Sequence, residues 1–116
     1  MVDQIYGDVN VLARQMELFG EINPNMPYMT TMALIFVATR GRCHQKDFEN
    51  EFQLNEAMAS RSISYWCEDT QAGDTNRAFI DRREDPMNRR FRLLTLTAKG
   101  QAFADKLRLG KRVTHG

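Results

Sequence analysis

The chain has 116 residues and a mass of 13.5 kDa, within the roughly 100–150 residues that one hydrophobic core supports, so a single domain over 1–116 is expected. With 27% charged and 42% hydrophobic residues it is neither disordered nor collagen-like. The longest apolar run, Met32 to Ala38, is seven residues against the roughly 18–20 of a bilayer span, and Asp3 interrupts any signal-peptide start, so a cytoplasmic protein with no membrane partner is expected.

The net charge of +1 conceals a segregation. Met1 to Ala59 carries four Lys or Arg against eight Asp or Glu, and Ser60 to Gly116 carries twelve against seven, giving −4 and +5. One half can therefore present a positive field to a polyanion, with nucleic acid the first candidate. The plainer alternative is a set of basic residues that solvate an exposed hairpin and a terminal helix.

In chain order, Ile5, Val9, Leu12, Met16 and Phe19 recur at spacings of four, three, four and three, which predicts a helix over 3–20 stopped by Gly20. The stripe fits either the core or pairing with a second copy. Pro27 suits the first turn of a second helix reaching about Thr39, whose almost wholly apolar surface belongs in the middle of the domain, with Gly41 ending it. A short, surface-lying third helix is expected from His44 to Glu51, with Phe48 and Phe52 four apart. Leu54 and Asn55 then connect to a fourth helix from Glu56 to about Asp69, capped by Asn55. Together 44–69 reads as a helix-turn-helix.

On the fourth helix Ala59, Ile63, Trp66 and Thr70 share an inward face, and Ser60, Arg61, Ser64, Tyr65 and Glu68 are left outside. Small hydroxylated side chains with one arginine and one tyrosine can approach base edges closely, although an ordinary solvated face has the same composition. Gln71 to Arg77 reads as a loop. Ala78 to Arg83 and Arg89 to Thr97 then read as strands around a turn at 84–88, with Leu94 and Leu96 facing in. Arg82, Arg83, Arg89, Arg90 and Arg92 fill five of eleven consecutive positions in this hairpin, enough to reach phosphates or a narrow minor groove. A last helix over 98–110 completes the expected architecture. It is mainly α with a small β-hairpin, a winged helix-turn-helix with its wing at 78–97.

Enzyme chemistry is not readable. The chain has no Gly-rich phosphate loop, nucleophile elbow or acid/base constellation. Cys43 and Cys67 lie 24 apart without a CxxC pair, and only His44 and His115 could join them, so no disulfide framework, metal set or cofactor is expected and both cysteines are read as reduced. His44 is read as a surface residue at a helix start.

At the hairpin the wording becomes specific. Ile80-Asp81-Arg82-Arg83-Glu84-Asp85-Pro86-Met87-Asn88-Arg89-Arg90, followed by Leu94-Thr95-Leu96-Thr97-Ala98-Lys99-Gly100, resembles the wing and following helix start of MarR-type transcriptional regulators. Those read as an apolar residue, an acid and Arg-Arg, then Asp-Pro-x-Asp-Arg-Arg, then Leu-Thr-x-Lys-Gly. Ser60-Arg61-Ser62-Ile63-Ser64 is similar, more weakly, to the family's Ser-Arg-x-Val-Ser, and the helix order extends the likeness over most of the chain.

The resemblance implies that Arg61, Ser62 and Ser64 lie on or beside a major-groove helix, that Arg89 is the wing-tip arginine sent into the minor groove, and that Arg90 is its phosphate-contacting neighbour. The family's acid before that pair, which orients the arginine, is Asn88 here. The DNA-binding set is thus Ser60, Arg61, Ser62, Ser64, Tyr65, Arg83, Asn88, Arg89 and Arg90. A longer loop over Gly73 to Arg77 and a single terminal helix mark a shortened relative, for which no small-molecule effector is expected. A homodimer is expected through Ile5, Val9, Leu12 and Met16 with Phe103 and Leu107. The function so implied is sequence-specific duplex-DNA binding by a transcriptional regulator, a repressor. A module that grips polymerase or another regulator is the alternative, favoured by Glu56 and Glu68 beside a single arginine.

Overall fold

Where the polar punctuation falls decides the element boundaries of the computed structural model, which describes residues 7–67 and 78–108. Helix α1 spans Gly7–Ile22 and runs through Gly20, which has ordinary helical backbone, so the expected stop at Gly20 is displaced. The chain instead leaves the helix at Asn23, just before Pro24, where a proline disfavours the helical backbone of its predecessor. Leu18 and Phe19 are buried, and Ile5 lies outside the described residues.

Pro27 sits at the N-cap of α2 (Tyr28–Arg40), one residue before the expected position, and its carbonyl accepts from Thr30 N and Thr31 N at 3.1 and 3.2 Å. Ala33, Leu34 and Val37 of this helix are almost wholly buried. Gly41, at φ +76°, closes it by donating to Val37 O at 2.8 Å, a left-handed step that a glycine takes without strain.

A strand follows that the sequence pattern did not indicate. β1 (Arg42–His44) is three residues long, too short for any periodicity to register, and it enters α3 (Gln45–Phe52) directly. α3 is less superficial than expected, because Gln45, Phe48 and Glu49 are all buried and Phe48 meets Phe36 at a ring separation of 5.4 Å. Gln53, in the left-handed region at φ 54°, ends it. Asn55 Oδ1 then accepts from Met58 N at 2.8 Å and starts α4 (Glu56–Ser64) as expected.

α4 ends before the expected Asp69. Trp66 N and Cys67 N donate three residues back, to Ile63 O and Ser64 O, while Trp66 O accepts from Phe79 N and Ile80 N, so the chain turns off the helix to meet the sheet. Glu68, Thr70 and the expected loop Gln71 to Arg77 lie outside the described residues. Trp66 is fully buried, its indole N–H donating to Thr30 O at 2.7 Å.

The hairpin consists of β2 (Ile80–Asp85) and β3 (Asn88–Leu96), joined through Pro86 and Met87. Its reversal is tighter than the expected 84–88 turn because Asp85 Oδ1 accepts from Met87 N at 2.8 Å. β3 is central in the antiparallel sheet order β1-β3-β2, with Cys43 opposite Leu94 and Ile80 opposite Leu96. Leu94 faces inward as expected and Leu96 is partly buried, but Leu93 on the other face is buried too, with His44 and Arg83 beside it on the neighbouring strands.

Thr97 starts α5 (Ala98–Arg108): its hydroxyl accepts from Gly100 N at 3.0 Å and donates to Ala78 O at 2.5 Å. Phe103 meets Phe19 and Phe79, each at a ring separation of 5.3 Å, so α5 closes the aromatic core around Trp66. Among the described residues, no helix is long and apolar enough to cross a membrane.

Candidate nucleic-acid interface

The wing and the helix-turn-helix enclose an open, strongly polar cleft of about 640 Å³. Ser60 of α4 forms part of one wall, and Arg89, Arg90 and Arg92 of β3 part of the other. Lys46 and Arg82 bring its cations to five, against the carboxylates Glu49, Glu56 and Glu84. Lys46 spends part of its charge on Glu49 at 3.5 Å, whereas Arg89 and Arg90 are exposed. The serine-bearing helix and the arginine ribbon thus share one side of the molecule.

The expected helix residues divide into three groups. Ser60 and Ser64 are half-buried and Arg61 is exposed, in keeping with an outward face. Ser62 is corrected: it is 9% exposed, because it lies three residues after Ala59 and so shares the inward side with Ile63. Tyr65 lies beyond the last turn of α4 with its ring edge-on to Trp66 at 5.1 Å, which leaves it half-buried.

The two adjacent arginines of β2 separate because successive strand residues point to opposite faces. Arg83 does not line the cleft; its Nε donates to Asp81 Oδ2 at 2.7 Å, an exposed pair that raises its pKa and holds it on the outer surface. Arg82 crosses to α4 instead, donating to Ser60 Oγ at 3.2 Å and to Ser64 Oγ at 2.7 Å. The sequence signals the arginine density but not this division of labour. Alternation along β2 is the signal that could have separated the pair.

Asn88 shapes the wing tip through its backbone neighbour, its Oδ1 accepting from Arg90 N at 3.2 Å. His44 also serves this region. At the N-cap of α3 its backbone N–H donates to Asp47 Oδ2 at 2.9 Å, and its ring binds Asp85 and stacks on Phe91 at 5.0 Å. The ring thereby fastens the wing base to the start of α3, a role hidden by the 41-residue separation of His44 and Asp85.

The expected dimer set also divides. Val9, Leu12 and Met16 are 58%, 56% and 53% exposed, and Leu12 and Met16 border an apolar groove of about 370 Å³ against α2 and α5. Phe103 and Leu107 are corrected: α5 folds back on α1, and both are buried in the chain's own core. Cys43 and Cys67 are buried thiols, and burial, reinforced by Asp47, pushes the Cys43 pKa up to about 11.

No family model matches the sequence, and a search of curated proteins returns no match. Solved structures do match. A probable transcriptional regulator from Pseudomonas aeruginosa is 20% identical over 97% of this chain and 80% of that one, with a TM-score of 0.60. RV1404 from Mycobacterium tuberculosis is 14% identical, with 98% and 71% covered and a TM-score of 0.66. A mutant MarR from E. coli complexed with operator DNA is 13% identical, with 99% and 82% covered and a TM-score of 0.59. Among the described residues, five helices and a three-stranded antiparallel sheet, with these superpositions over nearly the whole chain, identify the fold as the winged helix of MarR-type regulators.

Proposed function

We propose that the chain is a duplex-DNA-binding transcriptional regulator, a repressor that blocks polymerase access by occupying its operator. The observation that carries this reading is the shared cleft, in which Arg89 and Arg90 of the wing face the same space as Ser60 of α4. In this reading α4 enters the major groove and Arg61, Ser60 and Ser64 meet base edges, while the wing arginines reach the flanking minor groove and its phosphates. That the similarly folded mutant MarR is complexed with operator DNA supports the DNA-binding reading by analogy of fold.

The proposal extends to a homodimer joined through the exposed stripe Val9, Leu12 and Met16. Two-fold pairing would favour an inverted-repeat site. Phosphate neutralisation would supply most of the affinity. Fluorescence anisotropy with random duplex across a salt series should give log K falling linearly with log salt, with a slope of about −0.9 per phosphate neutralised.

The second reading, a module that grips another protein, draws support from Glu49, Glu56 and Glu84 in the same cleft. No duplex binding at low salt would decide for it.

A further inference from the structure

We propose that Arg82 sets the hydrogen-bonding polarity of α4, making Ser60 and Ser64 donors toward DNA and so biasing the helix toward acceptor-rich base edges, guanine N7 and O6 and thymine O4. The inference deepens the DNA-binding reading and rests on it.

Arg82 Nη2 donates to Ser64 Oγ at 2.7 Å, and Nη1 lies 3.2 Å from Ser60 Oγ and 3.4 Å from both Ser60 O and Gln45 Oε1. All four acceptors are neutral oxygens, so the guanidinium charge is shared with them and not cancelled. Arginine is a donor only, which forces both serine hydroxyls to accept from it. Each keeps one proton, and that proton must point elsewhere. A hydroxyl oxygen that accepts from a cation becomes a stronger donor and a weaker acceptor.

The two serines stand four apart, one helical turn on the same face of α4, so one guanidinium polarises a pair of neighbouring hydroxyls. The setting is rigid. Gln45 Nε2 donates in turn to Glu49 Oε2 at 3.3 Å, and both side chains are buried, so the network ties β2, α3 and α4 together. In the major groove, guanine offers two acceptors and thymine one, whereas cytosine presents only an amino donor and adenine an amino donor beside N7. A serine pair whose donors are strengthened and whose remaining lone pairs are weakened therefore discriminates in a stated direction.

The test uses the full chain and a double-stranded oligonucleotide pool, followed by 7-deazaguanine substitution, which deletes the N7 acceptor, in the selected site. For the native chain the substitution should weaken binding about 10-fold. In Arg82→Gln, and independently in the Ser60→Ala/Ser64→Ala double variant, that penalty should vanish and the ratio of selected-site to random-duplex affinity should collapse. Circular dichroism checks that each variant is folded, and the double variant carries the test should Arg82→Gln unfold.

A uniform loss of affinity for all duplexes in Arg82→Gln, with the salt dependence reduced by about one phosphate, would show Arg82 to be a phosphate ligand and overturn the proposal. Persistence of the 7-deazaguanine penalty in the double variant would overturn it as well. Failure of the native chain to bind any duplex overturns the DNA reading itself, and is seen before any substitution is made.

Discussion

His44 Nε2 lies 2.7 Å from Asp85 Oδ2, joining the residue that opens α3 to the last residue of β2. This bond, aided by Met87 N on the other carboxylate oxygen, holds the Asp85 carboxyl below its ordinary pKa of 3.8. The stability it contributes is complete above that value and is lost as pH falls through the lower folded pKa. Asp85→Asn should therefore flatten the acid limb of stability against pH, read from urea midpoints across acid pH. An unchanged acid limb would refute the linkage.

Gly100 is irreplaceable for a steric reason. A Cβ there would stand 2.1 Å from Phe79 O and 2.9 Å from Phe79 C, backbone atoms that also hold the entry to β2. Gly100→Ala should cost about 2–3 kcal/mol, measured as a lowered urea midpoint at unchanged m.

Asn55→Ala removes the side-chain acceptor of Met58 N and exposes the start of α4. The expected cost is about 1 kcal/mol in urea unfolding. A loss below a few tenths would show that water replaces the cap.

Within the DNA-binding reading, Arg89→Ala should weaken binding and flatten the preference for A·T-rich flanks, whereas Arg61→Ala should relax preference inside the half-site by roughly 1–3 kcal/mol. Anisotropy at fixed salt measures both. Equal affinity in native chain and both variants contradicts the docking.

Leu12→Glu places a charge on a side chain that is 56% exposed, so the fold should survive. If α1 pairs with a second copy, the molar mass from light scattering should fall to that of one chain and operator affinity should drop with it. A native chain that is already monomeric at micromolar concentration would sink the dimer proposal.

The readable parts of the fold are those where one residue type has one physical use. Gly41 and Asn55 announce helix ends and starts, the apolar run of α2 can only be interior, and the arginine cluster marks the wing. What escaped detection depends on partners distant in sequence. β1 exists only through β3, Ser62 turns inward because α4 packs on the core, and Phe103 and Leu107 are claimed by α1 before any second copy can meet them. Arg82 and Arg83 look alike in the sequence and differ only in which face of β2 carries them.

The two sequestered cysteines make the molecule convenient to instrument. Burial pushes the Cys43 thiol up to about 11 and keeps it protonated at neutral pH, and Cys67 is 5% exposed, so maleimide should pass both by while the protein stays closed. A single cysteine introduced at exposed Met87, at the wing tip, would then take a dye selectively without removing either native thiol.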